Sequence, residues 1–191
     1  MTKMYTVLDG HEFERRFGDL YRSLYRDVKP YRSSFQSQQW SFLLTTRNFL
    51  RDKEKFRAMC GAASFVRETE IIITEVQESP FHRWTVVLPY DYDCYSAALR
   101  SPESGALLGT NKAIFGGLGM FAAITDEGQK FILGYTILGG VKEFVDSWVE
   151  SIGSIDLIRE EFKRSLDLPS SWSKSRMDEG LKARLLSDVG W

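Results

Sequence analysis

The stretch FGGLGMFAAITDEGQKFILGYTILGGVKEFVDSWVESI, residues 115–152, decides the fold of this chain. Two of its segments, Met120–Thr125 and Lys130–Leu138, are rich in the Phe, Ile, Thr and Tyr residues that are typical of β-strands. A glycine in the connection between them can adopt the positive φ of a short hairpin turn. Beyond the glycine pair that follows, apolar residues recur at the spacing of one helix face: Val141, Phe144, Val145, Trp148, Val149 and Ile152. The stretch therefore predicts a β-hairpin followed by a helix that packs against it.

Two further strands are predicted upstream, over Glu70–Gln77 and Arg83–Leu88. The connection between them is five residues long and contains Pro80, which is typical of a hairpin with a wider loop. The four strands predict an α+β fold over residues 1–191 as a single domain. Its antiparallel sheet has at least four strands and is packed by N-terminal and C-terminal helices.

The N-terminal helix begins with a capping signal. Asp9 precedes a run of apolar residues at helical spacing that continues from Phe13 to Val28 and stops before Pro30. The end of the chain predicts two more helices, one capped by Ser154 and a last one capped by Ser175 together with Asp178.

Residues 35–60 are harder to assign. Their apolar residues fit one helix face with a break near Asp52, where a helix from Lys53 to Cys60 can begin. Trp40–Thr46 also has the composition of a strand, so helix and strand both remain open for this segment.

The composition is typical of a folded protein: of the 191 residues, 43% are apolar and 14% are aromatic. No apolar run has the length of a membrane span, and the N-terminus lacks the apolar core of a signal peptide. We therefore predict a cytoplasmic protein without a membrane partner. Two cysteines, Cys60 and Cys94, are too few for a disulfide framework.

The residues needed for catalysis are sparse. Neither His11 nor His82 belongs to a metal-binding or nucleophile-activating motif. The glycine-rich segment 116–119 lacks the P-loop and dinucleotide patterns and precedes a predicted strand rather than a helix. We therefore predict no catalytic residue, no metal and no cofactor. An enzyme built on Asp91, Asp93 and His82 is a third interpretation, which requires burial to separate the pKa values of the two carboxyls.

The charge distribution is asymmetric. Residues 1–67 contain 13 Lys and Arg against 7 Asp and Glu, whereas residues 68–191 contain 12 against 19. Within the acidic part, residues 68–103 contain seven acids and two arginines. Tyrosines and acids alternate at the start of the longest predicted irregular segment, residues 89–113. These four residues are Tyr90, Asp91, Tyr92 and Asp93. Aromatic side chains surrounded by charge are typical of protein-binding hot spots, so these four residues are the predicted partner-binding site.

The hairpin-to-helix stretch, residues 115–152, resembles the core of many small bacterial immunity proteins, which neutralise the toxins of contact-dependent and polymorphic toxin systems. That resemblance implies an α+β fold, no catalytic residues and an acidic surface that binds a toxin. The function expected on this basis is a non-catalytic protein-binding module whose partner is a basic toxin domain.

A second interpretation starts from the arginines of the N-terminal helix: Arg15, Arg16, Arg22 and Arg26. They lie mostly off its apolar face and could bind nucleic acid. The alternative function is therefore that of a nucleic-acid-associated protein.

Overall fold

The computed structural model describes residues 5–26, 32–37, 39–46, 52–76, 84–100, 111–126, 135–167 and 179–190. They form an α+β fold with one antiparallel sheet of seven strands. The strands are β1 Thr6–Leu8, β2 Ser41–Thr46, β3 Ile71–Glu75, β4 Thr85–Leu88, β5 Lys112–Gly116, β6 Phe121–Asp126 and β7 Tyr135–Gly140. The helices are α1 Gly10–Leu24, α2 Lys53–Phe65, α3 Tyr92–Arg100, α4 Lys142–Ile152, α5 Ile155–Asp167 and α6 Glu179–Asp188, with a short 3-10 helix at Arg32–Ser34.

The strand order in the sheet is β1-β4-β3-β5-β6-β7-β2. The pairs β3–β4, β5–β6 and β6–β7 are neighbours in sequence as well as in the sheet. The two outer strands come from the N-terminal part of the chain, where β1 pairs with β4 and β2 pairs with β7. Both edge strands of the sheet therefore come from the N-terminal part of the chain, whereas the strands between them come from later residues.

Helices cover both faces of the sheet. On the α2 face, helices α2, α3 and α4 contribute Phe56, Tyr95 and Trp148 to a core that includes Leu43 and Ile73. The core of the α1 face contains strand residues Leu44, Ile72 and Phe115 together with helix residues Phe13, Phe162 and Leu185. Adjacent strand residues point to opposite faces, so both faces of the sheet are apolar and buried.

Two further contacts attach α5 and the end of α1 to the sheet. Helix α5 runs beside the outer strand β2 and contributes Ile158 to one core and Phe162 to the other. On the α1 face, the hydroxyl of Tyr25 lies 2.8 Å from the carbonyl oxygen of Ile114 and 2.9 Å from that of Ala123. Tyr25 therefore ties the end of α1 to the middle of the β5–β6 pair.

The α+β class and the antiparallel sheet predicted from the sequence are confirmed. All four predicted strands exist as β3, β4, β6 and β7, although residues 77, 83 and 130–134 of the predicted ranges lie outside the described residues. The Asp9 cap is also present, with its Oδ1 accepting the Glu12 N–H at 2.8 Å.

Several boundaries differ from the prediction. Helix α1 ends at Leu24, because Tyr25 adopts an extended conformation and pairs with Phe35; Val28 and Pro30 lie outside the described residues. The prediction of a helix end after Cys60 is wrong, since α2 continues to Phe65. The caps Ser175 and Asp178 of the last helix lie outside the described residues, whereas Ser154 does cap α5, with its Oγ 3.2 Å from the Leu157 N–H nitrogen.

The helix proposed over residues 35–60 is wrong for Ser41–Thr46, which is β2, so the strand alternative holds there. Strands β1 and β5 have no counterpart in the prediction. In the described part of the chain, no helix is both long and apolar enough to cross a membrane.

Candidate functional site

The predicted site residues lie between β4 and the first turn of α3. Residues 89–113 are therefore not irregular throughout, because Tyr92–Arg100 is a helix and Lys112 begins β5. Asp91 caps this helix: its Oδ1 accepts the Cys94 N–H at 2.7 Å. This hydrogen bond is the main reason why the pKa of Asp91 is lowered, so the carboxylate is ionised at neutral pH.

Asp93 lies in the first turn of α3 and is exposed. Its side chain is 83% exposed and lies 3.6 Å from the Nζ of Lys53 at the start of α2. The same Lys53 Nζ lies 5.4 Å from the centre of the Tyr92 ring. An N-terminal lysine thus contacts an acid and an aromatic ring of the predicted site, a contact between two helices that no local pattern indicates.

The two tyrosines are half-buried and held in place by packing. The Tyr92 ring meets Phe56 edge-on at 5.4 Å between ring centres. The Tyr90 hydroxyl donates to the carbonyl oxygen of Glu70 at 3.4 Å, and burial raises the Tyr90 pKa above its ordinary value. Both rings are therefore part core and part surface, with their orientations fixed before any partner binds.

The glycine-rich turn between β5 and β6 holds a carboxylate of its own chain. Glu68 is buried, and its two oxygens accept the N–H groups of Leu118 at 2.8 Å and Met120 at 2.6 Å. A Cβ on Gly116 would lie 2.2 Å from the Glu68 carboxyl carbon, so only glycine leaves room for this contact. Because Glu68 occupies these two amides, they do not present an open phosphate cradle.

Glu68 follows an unusual helix end. At the end of α2 the Arg67 N–H donates to the Ser64 carbonyl and the Glu68 N–H to the Ala63 carbonyl, at 2.9 and 3.0 Å. This is the Schellman motif, which places the residue after the C-cap in the left-handed region. That residue is Arg67, with φ 64°, where glycine is the usual choice. This helix end leads into Glu68, which contacts the glycine-rich turn, and the left-handed Arg67 costs backbone strain.

A second buried acid lies at the other end of β3, where five polar side chains form a row across the α2 face. In the strand register, Thr45 is opposite Thr136, Thr136 opposite Thr125, Thr125 opposite Lys112, and Lys112 opposite Glu75. Lys112 is 1% exposed and Glu75 3% exposed. The opposite charges of Lys112 and Glu75 favour the observed strand register. A shift by one residue would move Lys112 to the other face of the sheet. The row belongs to the interior and fixes the strand alignment.

The arginines of α1 face acids of the same helix. Arg22 forms ion pairs with Glu14 and, at 2.7 Å, with Asp19. Arg15 lies 3.6 Å from Glu12. The exposed face of α1 therefore carries both signs of charge and is not a purely basic surface.

The two acids considered for an enzyme have separate structural roles. Asp91 is a helix cap, Asp93 points to solvent, and His82 lies outside the described residues. Burial raises the pKa of the Cys60 thiol to about 12, which leaves little reactive thiolate at neutral pH. Within the described ranges, no three His, Cys, Asp or Glu side chains are grouped as a metal site would require.

Comparison of the chain with protein-family models, with curated proteins and with solved structures finds no match.

Proposed function

We propose that this chain is a protein-binding module that takes a basic partner at the 90–93 surface, formed by Tyr90, Asp91, Tyr92 and Asp93. The observation that carries the proposal is that three of these side chains are held by contacts with the rest of the chain. Asp91 is held by its capping bond, Tyr92 by Phe56 and Tyr90 by the Glu70 carbonyl. A surface whose side chains are already ordered loses little conformational entropy when a partner docks.

The charges of this surface favour a cationic partner. Asp91 is ionised and exposed, and Asp93 is the more exposed member of its ion pair with Lys53. An exposed pair of this kind contributes about 0 to 1 kcal/mol, so a lysine or arginine of a partner can replace Lys53 at little cost. Lys53 then acts as a weak competitor for the site.

The specific form of the proposal is an immunity protein that neutralises a bacterial toxin in the cytoplasm. The resemblance of residues 115–152 to immunity proteins supports it, together with the α+β fold. The nucleic-acid alternative is less well supported, because Glu12, Glu14 and Asp19 lie among the arginines of α1 and would repel phosphates.

The test is a charge reversal with a matched control. Asp91 is unsuitable because its loss removes the cap of α3, so we use Asp93→Lys. The control is Asp156→Lys on α5, since Asp156 is 82% exposed and lies 3.7 Å from its partner Arg159, almost the same situation as Asp93. Both variants should unfold at the same urea concentration as the parent.

Proteins retained from a lysate of the source cell are identified by mass spectrometry, and the purified partner is measured by surface plasmon resonance at several salt concentrations. We expect Asp93→Lys to lower the association rate several-fold and to reduce its salt dependence, because charge mainly steers association. Asp156→Lys should leave both unchanged. Equal association rates for the parent and Asp93→Lys would place the interface elsewhere. Salt-sensitive binding of RNA or DNA that is lost in Arg15→Ala would favour the alternative function.

A further inference from the structure

Glu68 and Tyr90 lie on the same face of the sheet, on the two sides of β3. Ile71, the first residue of β3, is opposite Leu88 on one side and opposite Gly116 on the other. Tyr90 follows two residues after Leu88 and packs against the core of the α2 face, to which Ile71 belongs. Residues opposite each other in an antiparallel pair share a face, so a Cβ on Gly116 would point to this face as well, where it would meet the Glu68 carboxyl.

The short segment between Glu68 and Ile71 is held at both ends. At one end the Glu68 carboxylate, which is buried, accepts two N–H groups of the β5–β6 turn. At the other end Ile71 is paired in the sheet. The Glu70 carbonyl, which accepts the Tyr90 hydroxyl at 3.4 Å, lies between these two contacts. The position of the acceptor that orients Tyr90 therefore depends on the Glu68 carboxylate.

Glu68 also acts on Tyr90 through its charge. Burial is the main reason why the pKa of the Tyr90 hydroxyl is raised, and the charge of Glu68 is the next cause, ahead of Cys60 in α2 and Glu70 before β3. The β5–β6 turn itself, residues 116–120, contains no ionisable side chain. Burial raises the pKa of Glu68 too, against the opposing effect of its two N–H donors. The Glu68 carboxyl therefore takes up a proton nearer to neutral pH than an ordinary glutamate does.

We propose that Glu68 is a positioning residue for Tyr90 in the 90–93 surface, and that protonation of its carboxyl loosens the hold on Tyr90. This inference rests on the proposed function of that surface. A neutral carboxyl is a weaker hydrogen-bond acceptor than a carboxylate, so both bonds to the turn weaken when Glu68 takes up a proton. The fold as a whole tolerates this change, because protonation also removes the cost of burying a charge. Partner binding should therefore weaken as the pH falls through the pKa of Glu68.

An NMR titration of Tyr90 in the full chain tests this coupling without a partner. The chain is isotope-labelled at the tyrosine Cζ, which carries the hydroxyl, and the Tyr90 signal is the one that is missing from Tyr90→Phe. Between about pH 4 and about pH 8 we expect this signal to move with a midpoint above about 4.3, the ordinary glutamate value. The movement should be lost in Glu68→Gln and kept in the matched control Glu70→Gln, since Glu70 contacts Tyr90 through its backbone carbonyl. A signal that stays in place in the parent, or that moves equally in Glu68→Gln, would overturn the proposal.

A double-mutant cycle on the dissociation of the purified partner tests the positioning role, with circular dichroism to check that each variant is folded. We expect Glu68→Gln to speed dissociation about threefold or more, as loss of a typical hydrogen bond does. The same change should have no effect in a Tyr90→Phe chain, which has already lost the hydroxyl bond to the Glu70 carbonyl. Equal acceleration in both chains would overturn the proposal.

The two experiments separate this inference from the proposed function. If the Tyr90 signal does not follow Glu68 while Asp93→Lys still slows association, only the positioning role of Glu68 is refuted. If no partner depends on Asp93, the proposed function is refuted, and the NMR titration still decides whether Glu68 controls Tyr90.

Discussion

Removing the Glu68 carboxylate should destabilise the fold by about 2 kcal/mol. Glu68→Ala leaves the Leu118 and Met120 N–H groups without their acceptor, and an unsatisfied buried donor costs about 1–3 kcal/mol. Two effects reduce the sum. Leu118 is exposed, so water can reach part of the turn, and the variant no longer has to desolvate a carboxylate.

Urea unfolding followed by tryptophan fluorescence measures this loss. The control is Glu70→Ala, two residues further on, because the hydrogen bond of Glu70 to Tyr90 uses its backbone carbonyl and survives the change. Glu70→Ala should stay within about 0.5 kcal/mol of the parent, as surface substitutions usually do. If Glu68→Ala costs no more than Glu70→Ala, the carboxylate does not hold the turn and the reasoning fails.

The same carboxylate predicts a pH dependence. Burial raises the pKa of Glu68, while the Leu118 and Met120 N–H groups partly oppose that rise. The folded chain therefore binds this proton more tightly than the unfolded chain. The resulting stability is fully present below the unfolded pKa, about 4.3, and is lost as pH rises through the folded pKa. The unfolding free energy of the parent minus that of Glu68→Gln should thus fall as the pH is raised above about 4. A difference that rises over this range would contradict the assignment.

Four further substitutions test the packing by the same urea assay. Trp148→Ala should cost about 3–5 kcal/mol, because the side chain is fully buried, and a loss below about 1 kcal/mol would show that this helix face is misassigned. Trp148→Phe should cost less, since it removes an indole N–H that has no hydrogen-bond partner within the described chain. Arg67→Gly should stabilise the fold by about 0.5–1 kcal/mol by relieving the positive φ, and a destabilised variant would argue against strain there. Gly116→Ala should displace the Glu68 carboxylate from the turn. The losses of unfolding free energy in Gly116→Ala and Glu68→Ala should therefore not add in the double variant. Additive losses would refute the contact.

The β-hairpin and α4 were predictable from the sequence because their pattern is local. Trp148 and Phe144 repeat on one helix face, and the strands contain β-branched residues. Strand β2 is different, since Leu43 and Leu44 are buried on opposite faces of the sheet and the alternation that identifies a strand is lost. Its conformation depends on pairing with β7, which a local window does not contain.

The candidate site was predictable only in part. Asp93 is exposed, whereas α3 was missed although the Asp91 cap and residues 97–100 are helix signals, because the tyrosines and acids around them were assigned to an irregular segment. Glu68 gave no local signal at all, because its partners in the turn lie 50 and 52 residues away. Lys112 at the start of β5 looked like a loop residue, and its burial depends on Glu75 in the neighbouring strand.

The position of β2 at the edge of the sheet affects how the chain can fold during synthesis. Leu43 pairs with Leu138, 95 residues further on, and β2 has no other neighbour among the strands that the structure describes. At the usual ribosomal rate of about 5–20 residues per second, β2 waits roughly 5–20 seconds for its partner strand to be made. The hairpins β3–β4 and β5–β6 can form in that interval, since their partners are close in sequence. The apolar segment Ser41–Thr46 stays unpaired meanwhile, so the nascent chain exposes an apolar strand edge until β7 has been made.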